Sequence, residues 1–199
     1  MRGTSFRKLL SGETGALCRH LARLTDEERL FRFMGALDPK SVRDHCEGIN
    51  WRQTVVIGFF ESGVLRGSAE VHPADDRFPM SCEVAIAVET AWQESGVATE
   101  LLHRALVIAR NRVARELRIC CFVDNHRIQA VARKFGARFR SRAGQSDAAI
   151  RIPAPSCSSL CEEVINDGFG WMSFWSGPIA PATLCAAPAT KLRTTAHAP

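Results

Sequence analysis

The 199-residue chain contains no tyrosine, only four methionines and four tryptophans, and no apolar run near the ~18 residues that a membrane-spanning helix requires. The last absence argues against a helical membrane protein. The opening residues Met1-Arg2-Gly3-Thr4-Ser5-Phe6-Arg7-Lys8 lead into Ser11-Gly12-Glu13 rather than an apolar secretory segment, so the cytosol is the expected compartment. Cys157 and Cys161 form a C-x-x-x-C pair, but no second pair or nearby histidine completes a zinc site. Cys82, Cys120 and Cys121 sit in apolar runs and read as reduced packing thiols rather than nucleophiles. Acidic residues are scarce in one stretch: from Arg104 to Arg142, eleven Lys and Arg stand against only Glu116 and Asp124, within a net charge of +5. Such a stretch attracts anions, although any one of its arginines can simply be part of a solvated helix face. It lacks the interleaved aromatic platform of a single-strand binder, so a phosphate-bearing cofactor fits better than nucleic acid.

What is present suits one soluble domain with a tail: 46% hydrophobic residues, 24% charged residues and 14 glycines. Thr25-Asp26-Glu27-Glu28 has the form of a capping box ahead of Leu30, Phe31, Phe33 and Met34, predicting a first helix near 25–35. Asp38-Pro39 opens a second short helix that stops by Gly48. This helical pair is expected to precede any strand. The β-branched and aromatic run 54–60, the turn Glu61-Ser62-Gly63 and the run 64–71 predict a hairpin. Glu83 to Val88 reads as a buried central strand, and Ala98, Leu102, Ala105, Leu106, Ala109 and Val113 then recur at helical spacing. A strand over 117–123, a helix marked by Ile128, Val131, Ala132 and Phe135, and strands near 137–139 and 148–152 complete the domain. A β-α-β unit therefore lies in the middle.

The informative loop is Gln93-Glu94-Ser95-Gly96-Val97-Ala98, placed between a strand and a helix start. Free backbone N–H groups at a helix N-terminus attract anions, and small residues at 96 and 98 let a pyrophosphate approach the main chain. The pattern is not G-x-G-x-x-G and no P-loop lysine follows, which disfavours dinucleotide-binding and nucleotide-hydrolysing readings.

Q-x-x-G-x-A after the strand Glu83-Val84-Ala85-Ile86-Ala87-Val88 resembles the acyl-CoA pyrophosphate loop of the GNAT acetyltransferase superfamily. Asn125, followed by Ala130-Val131-Ala132-Arg133-Lys134-Phe135-Gly136-Ala137, is similar to that superfamily's N-x(4)-A…L-G-F block. The stretch from Leu24 to Met34 resembles the opening region of the GNAT domains of bacterial protein lysine acetyltransferases. The resemblance covers about residues 20–142. It implies an α+β fold with a mixed, mostly antiparallel sheet flanked by helices, in which the fourth and fifth strands splay apart to take the pantetheine arm of acetyl-CoA. It further implies that main chain at Val88 pairs with pantetheine. Gln93, Gly96, Val97, Ala98 and Thr99 would bind pyrophosphate, and Asn125 would hold the cofactor near its thioester. Arg104, Arg133 and Lys134 are candidates for the outer phosphates on charge alone.

Transfer to an amine needs the neutral amine, and an ordinary lysine amine titrates near ~10.4, so a general base is useful. Glu83 resembles the glutamate that many members of the family use; Glu70, with His72 behind it, is the second candidate. The tyrosine that often protonates the departing thiolate is replaced by Ala132. Glu94 places an anion beside the expected pyrophosphate. The expected activity is direct N-acetyl transfer from acetyl-CoA to a protein lysine or a small-molecule amine. An acyl-CoA-binding or sensory domain with little turnover and a basic nucleic-acid-binding module are the alternatives. The acceptor pocket is expected among the first helices, the 73–79 loop and the later strands. The expected organisation is a flexible segment 1–19, a catalytic domain 20–152, and a mostly disordered Pro/Ala/Ser-rich tail 153–199 with an apolar island at 169–175.

Overall fold

The computed structural model describes residues 3–74 and 81–176, with backbone alone over 169–176. Strands β1 (Thr4–Lys8), β2 (Val55–Glu61), β3 (Val64–Pro73), β4 (Ser81–Val88), β5 (Glu116–Phe122), β6 (Arg138–Arg142) and β7 (Gln145–Arg151) form one sheet in the order β1-β2-β3-β4-β5-β7-β6. Every neighbouring pair is antiparallel except β4 and β5. Helices α1 (Thr14–Arg23), α2 (Asp26–Phe33), α3 (Pro39–Glu47), α4 (Val97–Asn111), α5 (His126–Lys134) and α6 (Cys157–Ser176) flank it.

Side-chain alternation divides the core in two. Ile57, Phe59, Ala69, Val71, Val84 and Leu117 meet the apolar stripe of α4, in which Leu101, Leu102 and Ala105 are fully buried. On the other face Val56, Phe60, Leu65 and Ala87 pack under α1 and α3 through Leu17, Leu21, Val42 and Cys46. Truncating any of these buried leucines to alanine costs about 2–5 kcal/mol. Both faces of the central strands are therefore covered.

The predicted capping box is present: Thr25 Oγ1 accepts from Glu28 N at 3.2 Å, and Glu28 Oε2 accepts from Thr25 N at 2.8 Å. Asp38 likewise accepts from Ser41 N at 2.6 Å and starts α3. Two expectations are corrected. Within the expected flexible segment 1–19, residues 4–19 are not loose, because β1 pairs along β2 and α1 fills the second core. Phe6 lies 4.9 Å from the Phe59 ring, and Arg7 makes paired bonds to Glu13 at 2.7 and 2.6 Å. A strand and a helix thus precede the helical pair.

The tail is also more ordered than expected, since Cys157–Ser176 forms α6 against β1 and α4. Its polar side faces the domain: Asn111 Nδ2 donates to Glu163 at 2.7 Å, Ser159 Oγ donates to Asn111 Oδ1 at 2.6 Å, and Lys8 pairs with Glu163 and Asp167. The backbone of the apolar island 169–175 belongs to this helix. Residues 177–199 lie outside the described residues.

Candidate active site

The site follows from how β4 and β5 pair. They share a register only at their beginnings, Ser81 with Glu116, Cys82 with Leu117 and Glu83 with Arg118. Each then stays with its other neighbour, β4 with β3 as far as Val88–Gly67 and β5 with β7 as far as Phe122–Gln145. The strands part beyond Glu83, leaving facing edges without a partner strand, and unpaired backbone groups of that kind seek a hydrogen-bonding ligand. A cavity of about 1220 Å³ runs through the gap. It is lined by Ala85 to Val88 from one edge and Ile119 to Cys121 from the other.

At one end stands the start of α4. Gly96 is its cap residue, with φ 89°, and no side chain caps the helix. The N–H groups of its first turn are therefore left to water or a ligand, with the positive end of the helix dipole behind them. A Cβ added at Gly96 would meet no atom within 4 Å, so open space lies over this backbone. Gly96, Ala98 and Thr99 line the cavity, whereas Val97 is buried beneath it in the core. These are features that fit a pyrophosphate.

The side chain of Gln93 braces the loop from within. Its Nε2 donates to Val88 O at 2.9 Å and to Glu28 Oε1 at 2.6 Å, while Thr90 Oγ1 donates to the same Glu28 oxygen at 2.7 Å. The loop is thereby tied to β4 and α2. One lone pair of the Val88 carbonyl takes the Gln93 bond, and the other is left for a ligand. Glu94 lies across the mouth from Arg127, 3.6 Å away, and this exposed pair offsets the carboxylate beside the helix N-terminus. Asn125 lines the cavity and caps α5, its Oδ1 accepting from Ile128 N at 3.3 Å.

Of the three cations suggested for the outer phosphates, only Lys134 is among the lining residues. Arg104 donates to Glu100 at 2.6 Å and lies over the Phe6 ring, and Arg133 donates to Gln129 at 3.0 Å and lies over Phe139. Arg127 and His126 line the mouth in their place.

The other end of the cavity lies on the α1–α3 side of the sheet. Glu70 and Ala85 are register partners, as are His72 and Glu83, so Glu70, His72 and Glu83 share one face. Glu70 accepts from Arg32 Nη2 at 2.5 Å and bonds His45 Nε2 at 2.9 Å. Burial opposes ionisation of Glu70, but the Arg32 charge and the His45 bond outweigh it and hold the carboxyl down at about 2. So weak a base is a poor proton acceptor at neutral pH. Glu83 is half-buried on the cavity wall.

Cys120 is not a core thiol like Cys82 and Cys121, because it is half-buried on the cavity wall where they are buried. Burial, Asp147 and Glu83 push its thiol up to about 11, which keeps it protonated and unreactive. Arg32 and His45 are site residues that sequence reasoning missed. They reach Glu70 from helices 38 and 25 residues away, a separation that leaves no spacing signal. Residues 75–80 of the expected acceptor loop lie outside the described residues.

Comparison with known proteins decides the family. A sequence model of the Acetyltransferase (GNAT) domain matches residues 7–138. The chain belongs to the GNAT acetyltransferase family. It is an acyltransferase with acetyl-CoA as cosubstrate. No curated protein matches it in sequence. Among solved structures, the GNAT domain of S. lividans PAT is similar at 20% identity and a TM-score of 0.64, over 74% of this chain and 89% of that one. A Salmonella typhimurium acetyltransferase solved with its cofactor acetyl-CoA is similar at 16% identity and a TM-score of 0.58, over 77% and 98% of the two chains. The ribosomal L7/L12 α-N-protein acetyltransferase in complex with coenzyme A is similar at 18% identity and 0.58, over 76% and 96%. No helix among the described residues is long and apolar enough to cross a membrane.

Proposed function

We propose that this GNAT protein, acting in the cytosol, transfers acetyl directly from acetyl-CoA to a primary amine of a protein lysine or a small molecule, with Glu83 as the base at the reacting nitrogen. The parting of β4 and β5 just beyond Glu83 carries the reading, because it puts this carboxylate where the gap between the strands begins. Acetyl-CoA supplies the thioester carbonyl that the amine attacks. Gly96, Val97, Ala98 and Thr99 offer main-chain donors to its pyrophosphate, and the open edge of β4 up to Val88 offers backbone groups to the pantetheine arm. Gln93 supports this loop from beneath, and Asn125 stands at the start of α5 on the opposite wall. Glu83 takes a proton from the attacking nitrogen as the C–N bond forms and the C–S bond breaks. With alanine at 132 and no tyrosine in the chain, that proton or water neutralises the thiolate, whose ordinary thiol pKa of ~8.5 makes it a tolerable leaving group.

The absence of tyrosine from the chain also favours a second reading, an acyl-CoA-binding domain with little turnover. Incubating the protein with acetyl-CoA and a panel of amines, then analysing products by mass spectrometry, separates the two. Acetylated amine is the expected product. Cofactor binding with only slow hydrolysis and no acetylated amine supports the second reading and overturns the first.

A further inference from the structure

The Arg32–Glu70–His45 group lies on the acceptor side of the cavity and is left unused by the role given to Glu83. Glu70 and Arg32 are nearly fully buried, with side-chain exposures of 4% and 7%, whereas His45 is 32% exposed and lines the cavity. A buried carboxylate fixed by an arginine on one oxygen and by an imidazole on the other is an orienting device. In the neutral ring, the ionised Glu70 Oε2 at 2.9 Å can only accept, so the proton sits on Nε2 and Nδ1 is left as the proton acceptor. The Phe33 ring, edge-on at 5.1 Å, holds the imidazole from the side.

Resting on the amine-acetylation reading, we propose that His45, positioned by Glu70, removes the first proton from the incoming ammonium before attack. The proton balance calls for such a group. An ammonium nitrogen must shed two protons to become an amide nitrogen, and the departing thiolate takes back only one. His45 Nδ1 accepts the first and returns it to solvent through the open side of the cavity. Glu83 accepts the second as the C–N bond forms, and this is the proton that neutralises the thiolate as the C–S bond breaks. The reaction as a whole thus converts ammonium and acetyl-CoA into amide, CoA thiol and one released proton. His45 bonds Glu70, which pairs with Arg32 on α2; His72 on β3 and Glu83 on β4 share Glu70's sheet face and line the same cavity, Cys18 on α1 lies behind Cys46, and Asp44 and Glu47 are on the helix of His45 itself. His45 is thus the catalytic residue of this step and Glu70 its positioning residue.

The test compares His45→Gln, Glu70→Gln and Glu83→Gln with the wild type at pH 7 and pH 9.4, using acetyl-CoA with a lysine-bearing peptide and a linear diamine as probe amines. An ordinary lysine amine is neutral in about 1 molecule in 2,500 at pH 7 and about 1 in 11 at pH 9.4, so alkaline buffer performs the step assigned to His45. His45→Gln should lower kcat at pH 7 by roughly 10²-fold or more, with the KM for acetyl-CoA unchanged. Its rate relative to wild type should recover at least about tenfold by pH 9.4. Glu70→Gln should show a smaller deficit with the same recovery, and Glu83→Gln a deficit that does not recover. A wild-type rate for His45→Gln at pH 7, or a deficit equal at both pH values, overturns the proposal. NMR of the imidazole nitrogens in the wild-type protein supplies an acceptor-free check: the proton of neutral His45 should reside on Nε2, and finding it on Nδ1 overturns the proposal. Failure of both probe amines to react counts against the amine reading, and the tautomer still decides the positioning by Glu70.

Discussion

Replacing Glu70 by glutamine is the substitution whose cost follows most directly from the structure. The carboxylate is buried, accepts from Arg32 and bonds His45, and its pKa is lowered from 4.5 to about 2. At 1.36 kcal/mol per pH unit, that lowering corresponds to about 3 kcal/mol of folding free energy. Removing one partner of a buried ion pair costs about 3–5 kcal/mol, because the other charge stays in the interior, so the two routes agree. For a chain of this size the expected fall in Tm is about 6–12 °C at pH 7.

The pH dependence has a definite sign. A lowered carboxyl pKa stabilises the folded state fully above the unfolded value of 4.5, and this contribution is lost as pH falls toward about 2. Urea unfolding of both proteins at pH 7, 5, 4 and 3 should therefore show a difference that is constant down to about pH 5 and then shrinks. A difference below about 1 kcal/mol at pH 7, or one that stays undiminished at pH 3, would refute the assignment of this stability to the ionised Glu70.

Three further expectations are independent of it. Gly96→Leu places a side chain in the open space over the loop, at a φ of 89° that L-residues adopt at a cost of about 1–2 kcal/mol, and should raise the acetyl-CoA Kd at least tenfold; unchanged affinity in a folded variant defeats the loop assignment. Glu83→Gln should lower kcat by roughly 10²-fold or more while leaving acetyl-CoA affinity intact, and an unaltered pH–rate profile removes Glu83 from the base role. Truncation after Ile152 removes α6 with the Lys8, Asn111 and Arg110 contacts, and at about 1 kcal/mol for each should lower Tm by several degrees; an unchanged melting curve would show that α6 contributes nothing to the fold.

The middle of the fold was legible because local rules and tertiary packing agree there. Thr25 and Asp38 cap as their spacing predicts, and the apolar stripe of α4 faces the sheet. The ends depart from the local pattern for physical reasons. β1 is five residues long, carries Arg7 and Lys8, and owes its form to pairing with β2 rather than to its own pattern. The signal for α1 was available in Leu17, Leu21 and Leu24, a helical spacing that the structure buries. The start of α6 was hidden among prolines and serines, yet Ser156 and Ser159 form a reciprocal cap, with Ser159 N donating to Ser156 Oγ at 3.2 Å and Ser156 N donating to Ser159 Oγ at 3.0 Å.

Within the site, the loop around Gly96 was readable because a helix N-terminus is a local motif. Glu28 shows how far a local motif reaches, since the same carboxylate closes the capping box and receives Thr90 and Gln93. That second use depends on the sheet bringing α2 beside the loop. The bond from His45 to Glu70 is of the same kind, as is the contact of Glu94 with Arg127, and no spacing in the chain announces either.

Acetyl transfer by this chain requires a cavity that accepts a phosphate group at the Gly96 loop and a pantetheine arm between β4 and β5. Calorimetric titration of the purified protein with acetyl-CoA, desulfo-CoA and ATP tests this without any acceptor. Saturable one-to-one binding of the two ligands that carry the arm, with ATP much weaker, is the predicted result; equal binding of ATP, or no binding of acetyl-CoA, would contradict it.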